Sequence, residues 1–490
     1  MSKWNSIGYY GNRLIRAQAP TQTSEWPSKY YACTRKLSQK GDHFLDEVWN
    51  IRGEEEGPRT LVEILSWGRG SSGQLGVGVE ETRFYPCRVL SMNVPSNFRF
   101  SPMQGLVRES KKDRKHTSQS PPLQQQTSLS PPPPPLLSSK TTIARSDGVQ
   151  LGISCGLFHS ALLVDGKLYV WGKGDGGRLG LGTEETMYRP TLNPNLDCVR
   201  SVALGGLHSA ALTEQGELFT WGYGGFGALG HSVTHRELLP KQVRNHWEGR
   251  IVYVASSGAH TAAITESGEL YTWGRDEGEG RLGLGSEGGP DEGVLASPAK
   301  VKALPVPVAA ISCGGFFTLA LTSEGQLWSW GGNSNYELGR GNKGNDWRPR
   351  PIPNLQGAHI NQIASGGYHS LALTDDGKVL TWGHGGHGEL GHGSVEYGRV
   401  PQVVQALEDE RVIYVACGSL SSAAVTDSGK LYMWGKGRDN QLGVPGLPDE
   451  QLLPVLVNFL VEDEKLGPAH VLAVSAGASH AMCLIARSGV

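Results

Sequence analysis

Histidine is the residue whose placement first invites a chemical reading. It stands at one spot of a recurring segment as His159, His208, His260, His369 and His480, and Phe317 and Ser421 fill the same spot in two further copies. Imidazole is a metal ligand and a proton shuttle near neutral pH. A metal site, however, needs several ligands converging on one ion. One histidine per repeat spreads them around the molecule, so a hydrogen bond to a neighbouring loop is the expectation. His384, His387 and His392 lie in one Gly-rich loop and read as exposed loop residues, with a weak metal contact as the alternative. GKGDGG at 172–177 has the look of a phosphate loop, but it follows a strand without opening a helix and lacks Gly-Lys-Ser/Thr. The seven cysteines include no Cys-x-x-Cys pair, which excludes the usual zinc and redox motifs and fits a reducing compartment. Cys155, Cys313 and Cys417 each end an apolar run before a glycine, as small core residues do. No catalytic, metal or cofactor-binding residue is assigned, no cofactor is expected, and the chain reads as a non-enzyme.

The elements that would position these residues come from a repeat. A Trp-Gly pair recurs at Trp67, Trp171, Trp221, Trp273, Trp330, Trp382 and Trp434, with spacings of 104, 50, 52, 57, 52 and 52 residues. It opens strings such as WGKGDGGRLGLG at 171–182 and WGHGGHGELGHG at 382–393. Upstream lies a second shared stretch, as in GGYHSLALTDDGKVLTWG at 366–383. That stretch reads as a hairpin: a short apolar strand, an Asp-Gly, Gln-Gly or Ser-Gly turn, and a strand ending at the Trp. Four short strands per repeat of about 50 residues, without helical periodicity, predict an all-β, seven-bladed β-propeller. The 68 glycines among 490 residues serve its turns and close backbone approaches. The seven Trp are expected at the seams between blades.

Ring closure is also predicted. VLAVSAGASHAMCLIARSG at 471–489 is an upstream half with no Trp-Gly after it, and LVEILSWGRG at 61–70 is a Trp-Gly half with nothing before it. Together they make one blade from N-terminal and C-terminal strands. The expected domains are a poorly ordered basic extension at 1–59, a propeller at 60–490, and a disordered Pro/Gln-rich basic insertion at 91–147 within the first full blade. The net charge is −2, yet residues 1–40 carry +6 and 101–145 carry +5, which leaves −13 for the rest. Lys111, Lys112, Arg114 and Lys115 are the candidate nuclear-import or nonspecific nucleic-acid contact. Asp276, Glu277, Glu279, Glu287, Asp291 and Glu292, in a repeat five residues longer than its neighbours, are the candidate acidic rim for a basic partner such as a histone tail. No apolar run is long enough for a membrane helix, and no membrane role is expected. The N-terminus resembles a transit peptide in charge only, having Lys3, Arg13 and Arg16 before its first acid, Glu25.

The GxxH and WGxGxxGxLGxG strings resemble the regulator-of-chromosome-condensation repeat family, over about 60–90 and 148–489, as a plant-type member. The resemblance implies the propeller fold but not one function, because the family includes a Ran exchange factor, a plant ultraviolet-B photoreceptor, ubiquitin-ligase modules, chromatin regulators and a plant mitochondrial splicing factor. Family photoreceptors carry Gly-Trp-Arg-His-Thr. Here Leu157, Gly206, Gly258, Gly315, Gly367, Ser419 and Ala478 replace the Trp, and Phe158, Leu207, Ala259, Phe316, Tyr368, Leu420 and Ser479 replace the Arg, so light sensing is rejected. The main reading is a non-catalytic protein-interaction scaffold in the nucleus, also cytoplasmic, which binds histones, chromatin or a small GTPase through propeller loops. The alternatives are a guanine-nucleotide exchange factor for a Ran-like GTPase and a mitochondrial RNA-processing accessory factor.

Overall fold

The central strands of each repeat are runs of small and branched apolar residues, such as HSAALT at His208–Thr213, and every residue of that strand is buried. A sheet buried on both faces needs a neighbour on each side, and the chain supplies it by repetition. The computed structural model describes residues 48–51, 57–100, 148–285, 293–355, 357–459 and 467–487. These form seven sheets around a central cavity. Five are continuous in sequence: blade 2 (199–242), blade 3 (251–300), blade 4 (308–351), blade 5 (360–403) and blade 6 (412–456), while blade 1 adds the strand Arg99–Phe100 to 150–192. The innermost strands line the cavity, and the outermost, such as Asp346–Pro351, lie largely exposed.

Blade 7 is stitched from both chain ends, as expected. Its order is Val48–Asn50, Arg83–Pro95, Arg59–Gly68, His480–Arg487, Ala469–Ala476. Arg59–Gly68 pairs antiparallel with His480–Arg487 from Leu61 opposite Arg487 to Gly68 opposite His480. Glu63 and Arg487 join the two ends in a buried ion pair at 2.8 Å, and Arg88 stands 3.5 Å from the same carboxylate.

The structure moves two expected boundaries. Val48–Asn50, inside the expected N-terminal extension, adds a parallel edge to Ser91–Asn93. Residues 91–95 of the expected insertion belong to the long strand Arg83–Pro95, and Arg99–Phe100 pairs with Gln150 and Leu151 of blade 1. Residues 101–147, which join these two strands of one sheet, lie outside the described residues. Strand alternation across Val89, Leu90, Met92 and Val94, all fully buried, is what draws the start of the segment into the core.

Candidate functional site

Each seam holds one of the seven Trp. All seven are fully buried, and the seven apolar clusters contain one each. Each indole Nε1–H crosses to the loop of the preceding blade. Trp171 donates to the Gln74 carbonyl at 3.0 Å, Trp221 to Arg178 at 2.9 Å, Trp330 to Arg281 at 3.0 Å and Trp382 to Glu337 at 2.8 Å. Trp67 closes the circle on Gln441 at 2.8 Å, and Trp273 and Trp434 donate to Ala228 and Glu389. A buried indole N–H without a partner is costly, so the acceptor fixes the blade register as well as filling the seam.

The histidines form a second circuit. Nε2 of His159, His208, His260, His369 and His480 lies 2.9, 2.8, 3.1, 3.0 and 2.9 Å from the hydroxyls of Ser209, Thr261, Thr318, Ser422 and Ser160 in the next blade. Each hydroxyl donates its single proton at 2.8 Å to a carbonyl that also accepts a Trp indole. The imidazole must therefore donate from Nε2. Burial holds His208, His369 and His480 down at about 4, from an ordinary value of 6.5, and puts His159 and His260 well below it. The sequence led to a hydrogen bond to a neighbouring loop; the partner is instead a hydroxyl on the strand of the next blade. Among the described residues, no three His, Cys, Asp or Glu gather as a metal site.

A pH dependence follows. The unfolded chain binds protons on these imidazoles below pH 6.5, whereas the folded chain does so only near pH 4. Stability is therefore complete above 6.5, falls as pH drops through that window, and loses nothing further from these groups below it. Each of the three contributes on the order of 3 kcal/mol over the full window. Thermal unfolding should shift down steadily from pH 6.5 to 4, and His369→Ser, which copies blade 6, should flatten the slope. A melting temperature constant over that window would contradict the neutral circuit.

The central cavity is about 250 Å³ and is lined by glycines, small hydroxyls, Tyr414 and the thiols Cys155, Cys313 and Cys417, with no charged side chain among its lining residues. Burial pushes the Cys155 thiol up to about 12 and raises Cys313 and Cys417 as well. These thiols stay protonated at neutral pH and are not nucleophiles.

Of the expected acidic rim, Asp276 requires a correction. It is buried and accepts from Leu282 N at 3.0 Å, because the lengthened turn uses its carboxylate to close itself. Glu277 pairs with Arg275, and Glu279 with Arg281 at 2.9 Å, so both acids meet cations of their own blade. Glu287, Asp291 and Glu292, like the basic run Lys111, Lys112, Arg114 and Lys115, lie outside the described residues.

The loops that precede each histidine and those that follow each Trp-Gly share one face. Across blades 4 and 5 that face carries a chain of rings. Phe316 and Tyr368 stack at 5.4 Å and 24°, Tyr368 stands 6.2 Å from His384, His384 meets Tyr397 edge-on at 5.2 Å, and Tyr397 stands 6.3 Å from Tyr336. Cations cover it: Arg281 lies 4.7 Å over Phe316, Lys343 4.9 and 5.3 Å from Tyr336 and Tyr397, and Arg399 5.7 Å from Tyr336. The acids beneath are engaged. Burial raises the Glu337 carboxyl, which also binds Asn335. Burial alone would raise Glu389 too, but the His384 imidazole at 2.5 Å brings it below its usual value. His387 reaches Glu450 at 3.1 Å and its ring stays 5.7 Å from that of His384, whereas His392 binds Thr381 at 2.9 Å.

The sequence reasoning missed this strip. Its signal was present, since Phe316 and Tyr368 are aromatic at the same position of adjacent repeats, one blade apart.

A seven-bladed propeller with indole-clamped seams and a blade closed by both chain ends defines a class of repeat-built ring proteins. A model described as the RCC1-like domain matches residues 115–483, and one described as the regulator of chromosome condensation (RCC1) repeat matches residues 63–101. The chain belongs to the RCC1-like family. It is similar to the RCC1 domain-containing protein RUG3, mitochondrial, of Arabidopsis thaliana, at 55% identity over 434 residues, covering 88% of this chain and 90% of that protein. Human WBSCR16 shares the fold at TM-score 0.65 and 22% identity, with 86% of this chain and 98% of that one covered. Prp20p of Saccharomyces cerevisiae, described with binding properties to Gsp1p and histones, shares it at TM-score 0.66 and 20% identity, over 88% of this chain and 92% of that one.

Proposed function

We propose that the protein is a non-catalytic accessory factor of mitochondrial RNA processing, acting as a propeller platform. The observation that carries this reading is the 55% identity, over 88% of the chain, with a plant relative named as mitochondrial. The N-terminal charge pattern, cationic before its first acid at Glu25, agrees with it. RNA processing is the role that joins this location to the basic sequence at 101–145. The nuclear scaffold and the Ran-type exchange factor are the weaker readings, because the similarity to Prp20p is 20% in identity and speaks to fold alone.

The test is a line lacking the protein, complemented with the full chain carrying a C-terminal fluorescent tag. Fluorescence should colocalise with mitochondria, and sequencing should find unspliced or unprocessed mitochondrial precursors that complementation removes. Nuclear fluorescence, or mitochondrial transcripts processed as in wild type, would sink the reading.

A further inference from the structure

Among seven equivalent loop positions, one breaks the rule of the repeat. Gly73, Gly177, Gly227, Gly280, Gly388 and Asn440 all have φ between +59° and +82°, the left-handed region. The seventh, in blade 4, is Tyr336 at φ +64°. Glycine and asparagine enter that region readily, and a bulky aromatic does not. The turn of the repeat demands this φ, and a bulky residue kept there despite it is the kind of strain that accompanies binding. Tyr336 is the outer end of the ring chain, with Lys343 at 4.9 Å and Arg399 at 5.7 Å on its ring.

The remaining members fit one ligand chemistry. Tyr368 and Tyr397 are 37% and 45% exposed, so part of each ring is open to solvent. Lys343 and Arg399 are exposed cations beside those faces. Rings spaced 5–6 Å apart and flanked by cations match unstacked bases on a phosphate backbone, where each base supplies a π-face and each phosphate a charge. A basic peptide fits worse, since Arg281, Lys343 and Arg399 already stand against the rings and would repel it.

We propose that Phe316, Tyr368, His384, Tyr397 and Tyr336, with Lys343 and Arg399, form a stacking surface for single-stranded RNA on the loop face of blades 4 and 5. This rests on the RNA-processing reading and gives it a site. The strip binds bases by stacking and phosphates by charge, so it is tolerant of sequence and selective for unpaired strands.

The decisive variant is Tyr336→Gly in the full chain. It restores the residue type of the other blades, so its melting temperature should stay level or rise. Its affinity for a fluorescein-labelled single-stranded RNA, read by anisotropy, should fall about tenfold. Tyr368→Ala with Tyr397→Ala should cost a similar factor or more, whereas Tyr397→Phe, which keeps the ring, should bind as wild type. Removing Lys343 and Arg399 should lower the slope of log affinity against log salt by about 0.7 for each cation. Duplex RNA should be unaffected by Tyr336→Gly, because its bases are stacked inside the helix and offer no free face to the rings.

Unchanged affinity in Tyr336→Gly overturns the proposal. So does polyglutamate competing as well as RNA of equal charge, which would mean the surface reads charge alone and suits an acidic protein. A change in the sedimentation of the unliganded variant would instead make the strip a contact between copies of the chain. Single-stranded DNA bound more tightly than RNA would also overturn it. If RNA binding fails while the null line still accumulates precursors, only this surface falls. If binding holds while transcripts process normally, the reading of the protein's role falls.

Discussion

Deleting residues 60–78, or residues 471–490, is expected to unfold the whole ring and not to shorten it. The first segment carries Val62, Ile64, Leu65, Trp67 and Leu75, all buried in the two seams that flank blade 7. Complete burial of such side chains stabilises by about 1.5–3 kcal/mol each, so their combined loss rivals the 5–15 kcal/mol that typically separates folded from unfolded domains. It also removes the partner of His480–Arg487 along eight paired positions and leaves Arg487 buried without Glu63. An orphaned buried charge costs about 3–5 kcal/mol by itself. Circular dichroism and calorimetry on the truncated chains should find no cooperative transition. A truncated protein melting at the full-length temperature would mean that these strands do not close the ring.

Gly283→Val is expected to lower stability by about 3 kcal/mol. Gly283 has φ +73°, where a branched side chain is strained, and a Cβ there would lie 2.6 Å from Trp330 Nε1. The indole cannot retreat, because it donates to the Arg281 carbonyl at 3.0 Å and fills the seam between blades 3 and 4. The same juxtaposition recurs at every seam, for instance Gly76 on Trp171 and Gly443 on Trp67. Gly344→Ala is the control, with nothing within 4 Å of the added carbon. Thermal unfolding of both variants checks the pair. Equal melting temperatures would remove the clash from the account of why Leu-Gly follows each Trp-Gly.

The fold was legible because its information repeats. Each Trp-Gly marks one blade, and the unmatched halves at 61–70 and 471–489 identify the closing blade without any long-range inference. The acceptors of the histidines were only partly legible. A hydrogen bond to a neighbouring loop could be anticipated, but its partner, the Ser or Thr that follows the equivalent histidine one blade on, depends on how the sheets stagger. Asp276 misled because an acid in a Gly-rich loop looks solvated, whereas its carboxylate caps the Leu282 amide. The aromatic strip was hidden for a related reason. Phe316 and Tyr368 were visible in aligned repeats, but Tyr336 and Tyr397 sit at unrelated positions of adjacent blades, and only the ring geometry brings them within 6.3 Å.

The circuit of histidines and hydroxyls has a consequence for how such a protein can diverge. Where Ser421 has replaced the histidine of blade 6, the position it would face in blade 7 is Ala481, which has no hydroxyl to offer. Where Phe317 has replaced that of blade 4, Ser370 keeps its hydroxyl only for the Glu337 carbonyl, at a long 3.3 Å. Donor and acceptor belong to different repeats, so the heritable module is the joint between two blades and not the blade itself. A duplicated or transplanted repeat would arrive with one half of each joint on either side. Exchange between blades is therefore constrained to neighbours whose halves already match, which gives a ring of near-identical units a fixed order.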